Sequence, residues 1–231
     1  VSLPDETLPP GGFKQFTEVF KGQGIANGYV KVERVSGTAP YYAYAVINDQ
    51  VNSDGSFVPP VPATANTGKK TLILPVAVES GAFTTEIVLT SFSAVKKTLS
   101  FSYVAENVST SDKSATFSLA LEPGSQVVLP NLLQYLRDHQ VAGIGPAGTG
   151  YAGALFATVD TADAQGIVIA GRTSAAGGGG RYGLFYTATA QGEGLDGDSW
   201  VYGLQQDAEN RTNLALVNTG QYTSTDTFTV E

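Results

Sequence analysis

Short segments in which apolar and polar residues alternate constrain the fold of this chain more than any other feature. Leu99–Tyr103 and Ala115–Leu121 alternate with a period of two, as half-buried strands do. Turn residues such as Glu122-Pro123-Gly124 end each run after a few positions, and 27 glycines are spread over the 231 residues. Frequent Gly, Thr, Val and Tyr favour strands and tight turns over helices. The sequence therefore predicts an all-β fold.

The order of these segments indicates an internal repeat. Arg211–Asn218 aligns with Thr84–Ser91 in its apolar pattern, and Thr227–Val230 repeats the alternation of Leu99–Tyr103. Periods of this kind are sought first because they decide the whole fold. Two diverged copies of one unit are the simplest explanation of this order.

Each copy also contains a predicted short helix, a Gly-rich link and three strands. The helices are predicted at Phe13–Phe20 and Leu129–Arg137, with Pro130 in the first turn of the second, where its missing N–H costs nothing. The strands are predicted at Tyr29–Val35, Tyr41–Asn48 and Phe57–Val61 in one copy, and at Ala154–Val159, Ile167–Thr173 and Tyr182–Thr187 in the other.

We therefore expect an all-β chain of two immunoglobulin-like β-sandwich repeats, each with one short helix. Residues 69–198 form the contiguous repeat, and residues 1–68 plus 199–231 form a split repeat completed by strands from both chain ends. The terminal strands are predicted at Trp200–Leu204, Arg211–Asn218 and Thr227–Val230. We expect the two halves to pack together, or to pair head to tail between neighbouring molecules. The predicted core positions are Ile87, Leu89, Leu99, Phe101, Phe117, Leu119, Leu155 and Ile169.

Composition limits the partners and the compartment. A net charge of −8 without a Lys/Arg cluster argues against nucleic acid, since phosphate neutralisation needs clustered cations. No apolar run approaches the roughly 20 residues of a membrane span. Cysteine and methionine are absent, and the chain starts at Val1, so we expect that a leading segment has been removed. These features predict a secreted or cell-surface bacterial protein.

Three stretches resemble a repeat found in large, uncharacterised secreted bacterial proteins, where it is strung in tandem as surface or extracellular-matrix modules. They are Arg211–Asn218, the Leu-Glu-Pro-Gly break at Leu121–Gly124, and Tyr42–Asp49. The likeness covers nearly the whole chain and rests on strand and turn patterns. It implies a location and a modular architecture, and it carries over no catalytic residue.

The candidate catalytic and metal-binding residues have simpler structural explanations. His139, the one histidine, lies at the predicted helix end, where Asp138 points elsewhere, so a solvated histidine is favoured over a catalytic one. Asn48–Gly55 superficially resembles a calcium loop, but the required first and last ligands are missing, and ordinary turns are favoured there and at Asp196–Asp198. The acidic residues lie scattered through predicted turns, so no glycosidase pair is assigned. The run Gly177–Gly180 is predicted to be a hairpin connection and not a phosphate loop.

Carbohydrate binding is the alternative that the aromatic residues raise. Tyr42 and Tyr44 share one strand face, whereas Trp200 is predicted to pack in a core beside Val201. Asn107 and Asn210 begin glycosylation sequons, which are frequent by chance.

The sequence thus favours a non-enzymatic structural or adhesive module of a secreted or cell-surface bacterial protein, with a carbohydrate-binding module as the alternative and a hydrolase as a distant third. No catalytic residue, cofactor or metal ligand is predicted, and the ligand-binding residues are not identified. The expected partners are other copies of the same repeat or extracellular matrix and surface components, with possible head-to-tail self-association and without nucleic acid or membrane insertion.

Overall fold

The structure is a computed structural model that describes residues 2–106, 108, 110–220 and 225–230. It divides into two compact units, Val1–Gly37 and Thr38–Glu231. The described part of the first unit consists of turns and irregular segments without a regular helix or strand. An ion pair between Lys14 Nζ and Glu6 Oε1, 2.8 Å apart, lies within it.

The second unit is nearly all β. Its first two strands form a hairpin, β1 (Ala45–Asn48) with β2 (Gly55–Val58). One short helix, α1 (Leu132–Asp138), and a 3-10 turn at Thr110–Asp112 accompany the strands. The larger sheet contains β3 (Thr71–Ser80), β4 (Phe83–Ser91), β5 (Lys97–Glu106), β6 (Ser114–Leu121), β7 (Gln126–Leu129), β8 (Tyr151–Val159), β9 (Ile167–Gly177), β10 (Gly180–Thr187) and β11 (Thr189–Ala190).

The pairing divides the larger sheet into two groups of antiparallel strands. β3 and β4 pair only beside their connecting turn, at Glu79 with Thr84 and Ser80 with Phe83. Beyond that point β3 pairs with β8 and β11, and β8 continues to β5 and β6. β4 instead pairs with β7 and β9, and β9 continues to β10. The two groups share one core, which makes the arrangement sandwich-like.

The predicted core is largely confirmed. Six of the eight residues named from the strand pattern are buried, and Phe117 and Leu119 on β6 are partly buried against the same cluster. Two tyrosines extend this core with satisfied hydroxyl groups. The Tyr103 hydroxyl donates to the Ala77 carbonyl at 3.0 Å, and the Tyr151 hydroxyl accepts the Gly145 N–H at 2.6 Å. Burial raises the pKa of Tyr103.

The helix in residues 69–198 begins later than predicted. Its N-cap is Asn131, whose side-chain oxygen accepts the Gln134 N–H at 3.1 Å. Pro130 therefore lies before the cap and not in the first turn. The capping side chain decides the boundary, because it satisfies a helix N–H that proline could not.

The terminal segments differ from the prediction. The described residues of Phe13–Phe20 are not helical, and Tyr29–Val35 contains no strand. No strand lies in the described residues after Ala190, which include Trp200–Leu204, Arg211–Asn218 and Thr227–Val230. Two immunoglobulin-like sandwich repeats are therefore not observed in the described part of the chain. The physical reason is that a strand pattern needs a pairing partner and an opposing layer before it forms a sheet.

Candidate functional site

The outer face of β4, β9 and β10 carries a group of polar and charged side chains. In the register of β4 with β9, Glu86 lies opposite Arg172, and Thr84 lies opposite Ser174. The intervening residues of β4, such as Thr85 and Ile87, are fully buried in the opposite direction. Because side chains alternate across a strand, the charged residues share the face that points away from the core.

These side chains line a pocket, which we call the arginine pocket. Its volume is about 410 Å³, and Pro130 and Asn131, in the turn before α1, form one wall of it. It is lined by Thr84, Glu86, Pro130, Asn131, Arg172, Ser174 and Arg181.

The two guanidinium groups are held differently. Arg172 Nε donates to Ser56 Oγ on β2 at 3.1 Å, while its Nη2 is buried and has no hydrogen-bond partner among the described residues. Arg181 donates from Nε and Nη2 to Ser174 Oγ at 3.2 and 2.8 Å. A buried guanidinium nitrogen without a partner is costly, and Arg172 is one of the residues that line the arginine pocket.

Glu86 is not neutralised by a direct ion pair in the described structure. No Lys or Arg nitrogen lies within 4.0 Å of its carboxylate among the described residues, although Arg172 is its cross-strand neighbour. Burial raises the pKa of Glu86, and the charges of Arg172 and Arg181 oppose that rise. Elsewhere the chain does form a close pair: Arg137 Nη2 lies 2.6 Å from Glu79 Oε1, with both side chains 13% exposed.

The arginine pocket therefore combines donors and an acceptor. It presents two guanidinium groups and the Glu86 carboxyl group, and the charge of Arg172 also contributes to lowering the pKa of Asp49 in the neighbouring turn. Guanidinium forks suit planar anions such as carboxylates. The small hydroxyl side chains of Thr84 and Ser174 and the Glu86 carboxylate suit neighbouring hydroxyl groups of a ligand.

The Asn48–Gly55 segment forms the turn of the β1–β2 hairpin, and its side chains bind the backbone of β10. Asp49 Oδ2 accepts the Arg181 N–H at 3.0 Å, and Asp54 Oδ2 accepts the Gly183 N–H at 2.9 Å. Asn52 Nδ2 donates to the Arg181 carbonyl at 3.1 Å. The Asn52, Val51 and Arg181 N–H groups lower the pKa of Asp49. These polar side chains therefore cover the free edge of β10.

His139 and the glycine run occupy the predicted positions. His139 is the exposed C-cap of α1, and its Nδ1 lies 2.8 Å from the Tyr135 carbonyl oxygen. Gly178 and Gly179, with φ of 60° and 83°, form the two-residue turn between β9 and β10. Two positive φ values are typical of a tight hairpin turn, as predicted for Gly177–Gly180.

The aromatic residues are more exposed than the core interpretation requires. Trp200 is 90% exposed, so the prediction that it packs in a core is wrong for this chain, because no neighbouring strand covers its segment in the described residues. Tyr42, Tyr44 and Phe57 form an exposed aromatic cluster, with the Tyr44 and Phe57 rings stacked at 5.4 Å between centroids. Asn107 lies outside the described residues.

The other sites considered are a second concavity, metal-binding clusters and membrane-spanning helices. A second, shallower concavity of about 430 Å³ lies on the outer face of β5, β6 and β8, between Ser100, Ser102 and Thr116. Among the described residues, no group of three or more His, Cys, Asp or Glu side chains could hold a metal ion. The helices described contain none that is long and apolar enough to cross a bilayer.

The residues of the arginine pocket were not predicted from the sequence. Glu86 and Arg172 each interrupt an otherwise apolar or hydroxyl-bearing strand, which is a weak sign of a special role. Arg181 follows a glycine turn and resembles any exposed hairpin residue. Only the strand register brings the three together.

Comparisons with known proteins add little. No protein-family model matches the chain, and no curated protein matches it at a significant level. Among solved structures, the chain is similar to "Crystal Structure of Thermotoga maritima 1070", with a TM-score of 0.39 and 11% sequence identity, over 53% of this chain and 95% of that chain. A likeness at this level carries no argument about fold or function.

Proposed function

We propose that the chain is a non-enzymatic structural or adhesive module of a secreted or cell-surface bacterial protein, whose terminal segments complete a second immunoglobulin-like repeat by pairing with each other or with a neighbouring copy. The observation that supports this is the distribution of exposed apolar residues. Most of the exposed large apolar side chains lie before residue 62 or after residue 194. The intervening β structure exposes few in its described part.

A direct comparison of two matching segments supports the proposal further. Ile87 and Leu89 of β4 are both 0% exposed, whereas Leu214 and Leu216 at the matching positions are 47% and 56% exposed. Burying a leucine side chain stabilises a structure by about 1.5–3 kcal/mol. The 211–218 segment therefore has the apolar pattern of β4, and burying its two leucines against a partner would stabilise the structure substantially.

Substitutions on the two alternating faces of this segment test the proposal. Leu216→Glu places a charge on the face that should become buried, and Ala215→Glu places the same charge on the opposite face. We expect sedimentation velocity and hydrogen exchange to show concentration-dependent association and protection of residues 211–218 in the parent chain and in Ala215→Glu. Leu216→Glu should lose both.

Pairing within one chain would give protection that does not depend on concentration. Deleting residues 199–231 should then reduce hydrogen-exchange protection across residues 29–61 and leave β3 to β10 unchanged. Residues 211–218 that stay unprotected at every concentration, also in a chain carrying two copies in tandem, would refute both forms of pairing.

The aromatic cluster favours the second candidate, a carbohydrate-binding module. Tyr42, Tyr44 and Phe57 are 69%, 50% and 49% exposed on the β1–β2 hairpin and the residues before it. Aromatic rings on a sheet offer apolar faces for sugar rings. A glycan array with Tyr44→Ala as the comparison tests this: a specific neutral glycan that is lost in the variant would favour it over the structural module.

A further inference from the structure

We propose that the arginine pocket binds the carboxylate of an acidic sugar residue, with Arg172 and Arg181 as donors to the carboxylate and Glu86 as acceptor for sugar hydroxyl groups. This site is independent of the pairing of the chain ends. It rests on the geometry of the outer face of β4, β9 and β10.

Arg172 is fixed at one nitrogen and lacks a hydrogen-bond partner at another. Its Nε is fixed by Ser56 Oγ, a residue only 2% exposed, so the guanidinium plane is held in place by the β1–β2 hairpin. Its Nη2 is buried without a partner among the described residues. Arg172 is therefore a fixed guanidinium group in the lining of the pocket, with one nitrogen that no described residue satisfies.

Arg181 lines the same pocket from the neighbouring strand. Arg181 lies on β10 two residues before Gly183, which pairs with Ser174, and its guanidinium is anchored to the Ser174 hydroxyl. Two anchored guanidinium groups on adjacent strands lose little freedom on binding, which favours an anion that both can reach.

The lining of the pocket favours a carboxylate over a phosphate. A carboxylate presents two coplanar acceptors to the guanidinium groups and, with one charge, is repelled less by the Glu86 carboxylate than a phosphate dianion is. Glu86 and the hydroxyl groups of Thr84 and Ser174 provide acceptors and donors for further hydroxyl groups. A carboxylate attached to a polyhydroxylated ring satisfies both halves of the site.

A structural explanation would make Glu86 and Arg172 a cross-strand ion pair that stabilises the sheet. The observed geometry is not that of an ion pair, because the charged atoms of Glu86 and Arg172 are more than 4.0 Å apart. Where the chain does form a partly buried pair, Arg137 Nη2 lies 2.6 Å from Glu79 Oε1. Separation of the charges leaves room for a ligand between the strands and the turn before α1.

The test is calorimetric titration of the full chain with trigalacturonate at neutral pH and low salt. The control ligand is the same trisaccharide with its carboxyl groups reduced to alcohols. We expect the acid form to bind and the reduced form to bind at least about tenfold more weakly, because charge-assisted hydrogen bonds are lost. Triglutamate is a second control that presents carboxylates without a sugar.

Arg172→Gln and Arg181→Gln should each weaken trigalacturonate binding about tenfold or more. Arg211→Gln, at an exposed arginine far along the sequence, is the matched control and should leave affinity unchanged. Because Arg172→Gln could loosen the β1–β2 hairpin, its amide spectrum is compared with that of the parent chain. Arg181→Gln tests the site without breaking the bond to Ser56.

Three results would overturn the proposal. These are no trigalacturonate binding at millimolar concentration, equal binding of the carboxyl-reduced sugar, or affinities that neither pocket arginine affects. If triglutamate binds as tightly as trigalacturonate, the pocket does not select a sugar, and an acidic peptide becomes the better ligand. Inorganic phosphate displacing trigalacturonate at equal concentration would reject the selection of a monovalent anion.

Discussion

Replacing Arg137 tests whether the ion pair at the end of α1 holds the helix to the sheet. Arg137 makes two hydrogen bonds of 2.7 and 2.6 Å to the Glu79 carboxylate of β3, and its Nε donates to the Gly145 carbonyl at 2.8 Å. Its guanidinium also lies over the Tyr151 ring, 5.9 Å from the centroid. Arg137→Met keeps most of the aliphatic stem and removes these bonds, which leaves the Glu79 carboxylate uncompensated.

The magnitude follows from burial. Both side chains are 13% exposed, so Glu79 would keep its charge in a largely desolvated place. Breaking a buried ion pair costs about 3–5 kcal/mol, and the residual exposure places this pair near the lower end, about 3 kcal/mol. For a domain of this size, that loss lowers the melting temperature by roughly 6–12 °C. Arg137→Met with Glu79→Gln should recover part of the loss, because no charge is then left unpaired.

Chemical denaturation of the parent chain, the two single variants and the double variant gives the coupling energy. Lys96→Met is the matched control, because Lys96 Nζ lies as close to Glu122, 2.6 Å, but the side chains are 58% and 62% exposed. That surface pair should contribute at most about 1 kcal/mol. Equal losses for Arg137→Met and Lys96→Met, or strictly additive effects of the Arg137 and Glu79 substitutions, would refute the reasoning.

Three further perturbations have defined outcomes. Burial raises the pKa of Glu86 above its ordinary value of 4.5, so the folded state binds the proton more tightly than the unfolded state does. The free energy of unfolding should therefore fall as the pH rises from 4.5 through the raised pKa. Glu86→Gln should remove this fall and raise the melting temperature at neutral pH. Gly153→Ala places a Cβ 2.3 Å from the Val104 carbonyl oxygen and should cost about 1–3 kcal/mol in denaturant unfolding, whereas Gly197→Ala, with open space around it, should change stability by less than about 0.5 kcal/mol. His139→Ala and added EDTA should each leave the melting temperature within about one degree, and a clear EDTA effect would reveal a bound metal linked to folding.

The strand alternation between Lys69 and Ala190 predicted the β structure well, for a physical reason. Strands such as β5 and β6 bury one face only, so their apolar residues appear at every second position. Leu99, Phe101 and Leu155 could therefore be assigned to the core without knowledge of the topology. The all-β class followed from the same pattern.

The arginine pocket and the edge contacts could not be predicted in the same way. Glu86 and Arg172 are separated by 86 positions in the sequence, and they lie opposite each other only because β4 pairs with β9 in one register. The contacts of Asp49 and Asp54 with β10 depend on where the β1–β2 hairpin packs. Sequence alternation gives the face of a residue but not its neighbour on the adjacent strand. Lys97 shows the same limit: its side chain is buried, and its Nζ donates to the Asp163 and Gln165 carbonyls, both at 2.8 Å, partners that no strand pattern could identify.

The edge strand β10 and the 211–218 segment differ in how they are protected against pairing with another chain. At β10, side chains of the 49–54 turn accept the Arg181 and Gly183 N–H groups, so that edge is protected against pairing with another chain. The 211–218 segment has a strand pattern and exposed leucines but no such protection in its described residues. In the proposed module, this combination allows pairing at the ends without aggregation along the sheet. Asp49→Asn with Asp54→Asn should therefore weaken hydrogen-exchange protection at Arg181 and Gly183 while leaving residues 211–218 unchanged. Loss of protection in both places would mean that the closed edge and the terminal segment are not independent.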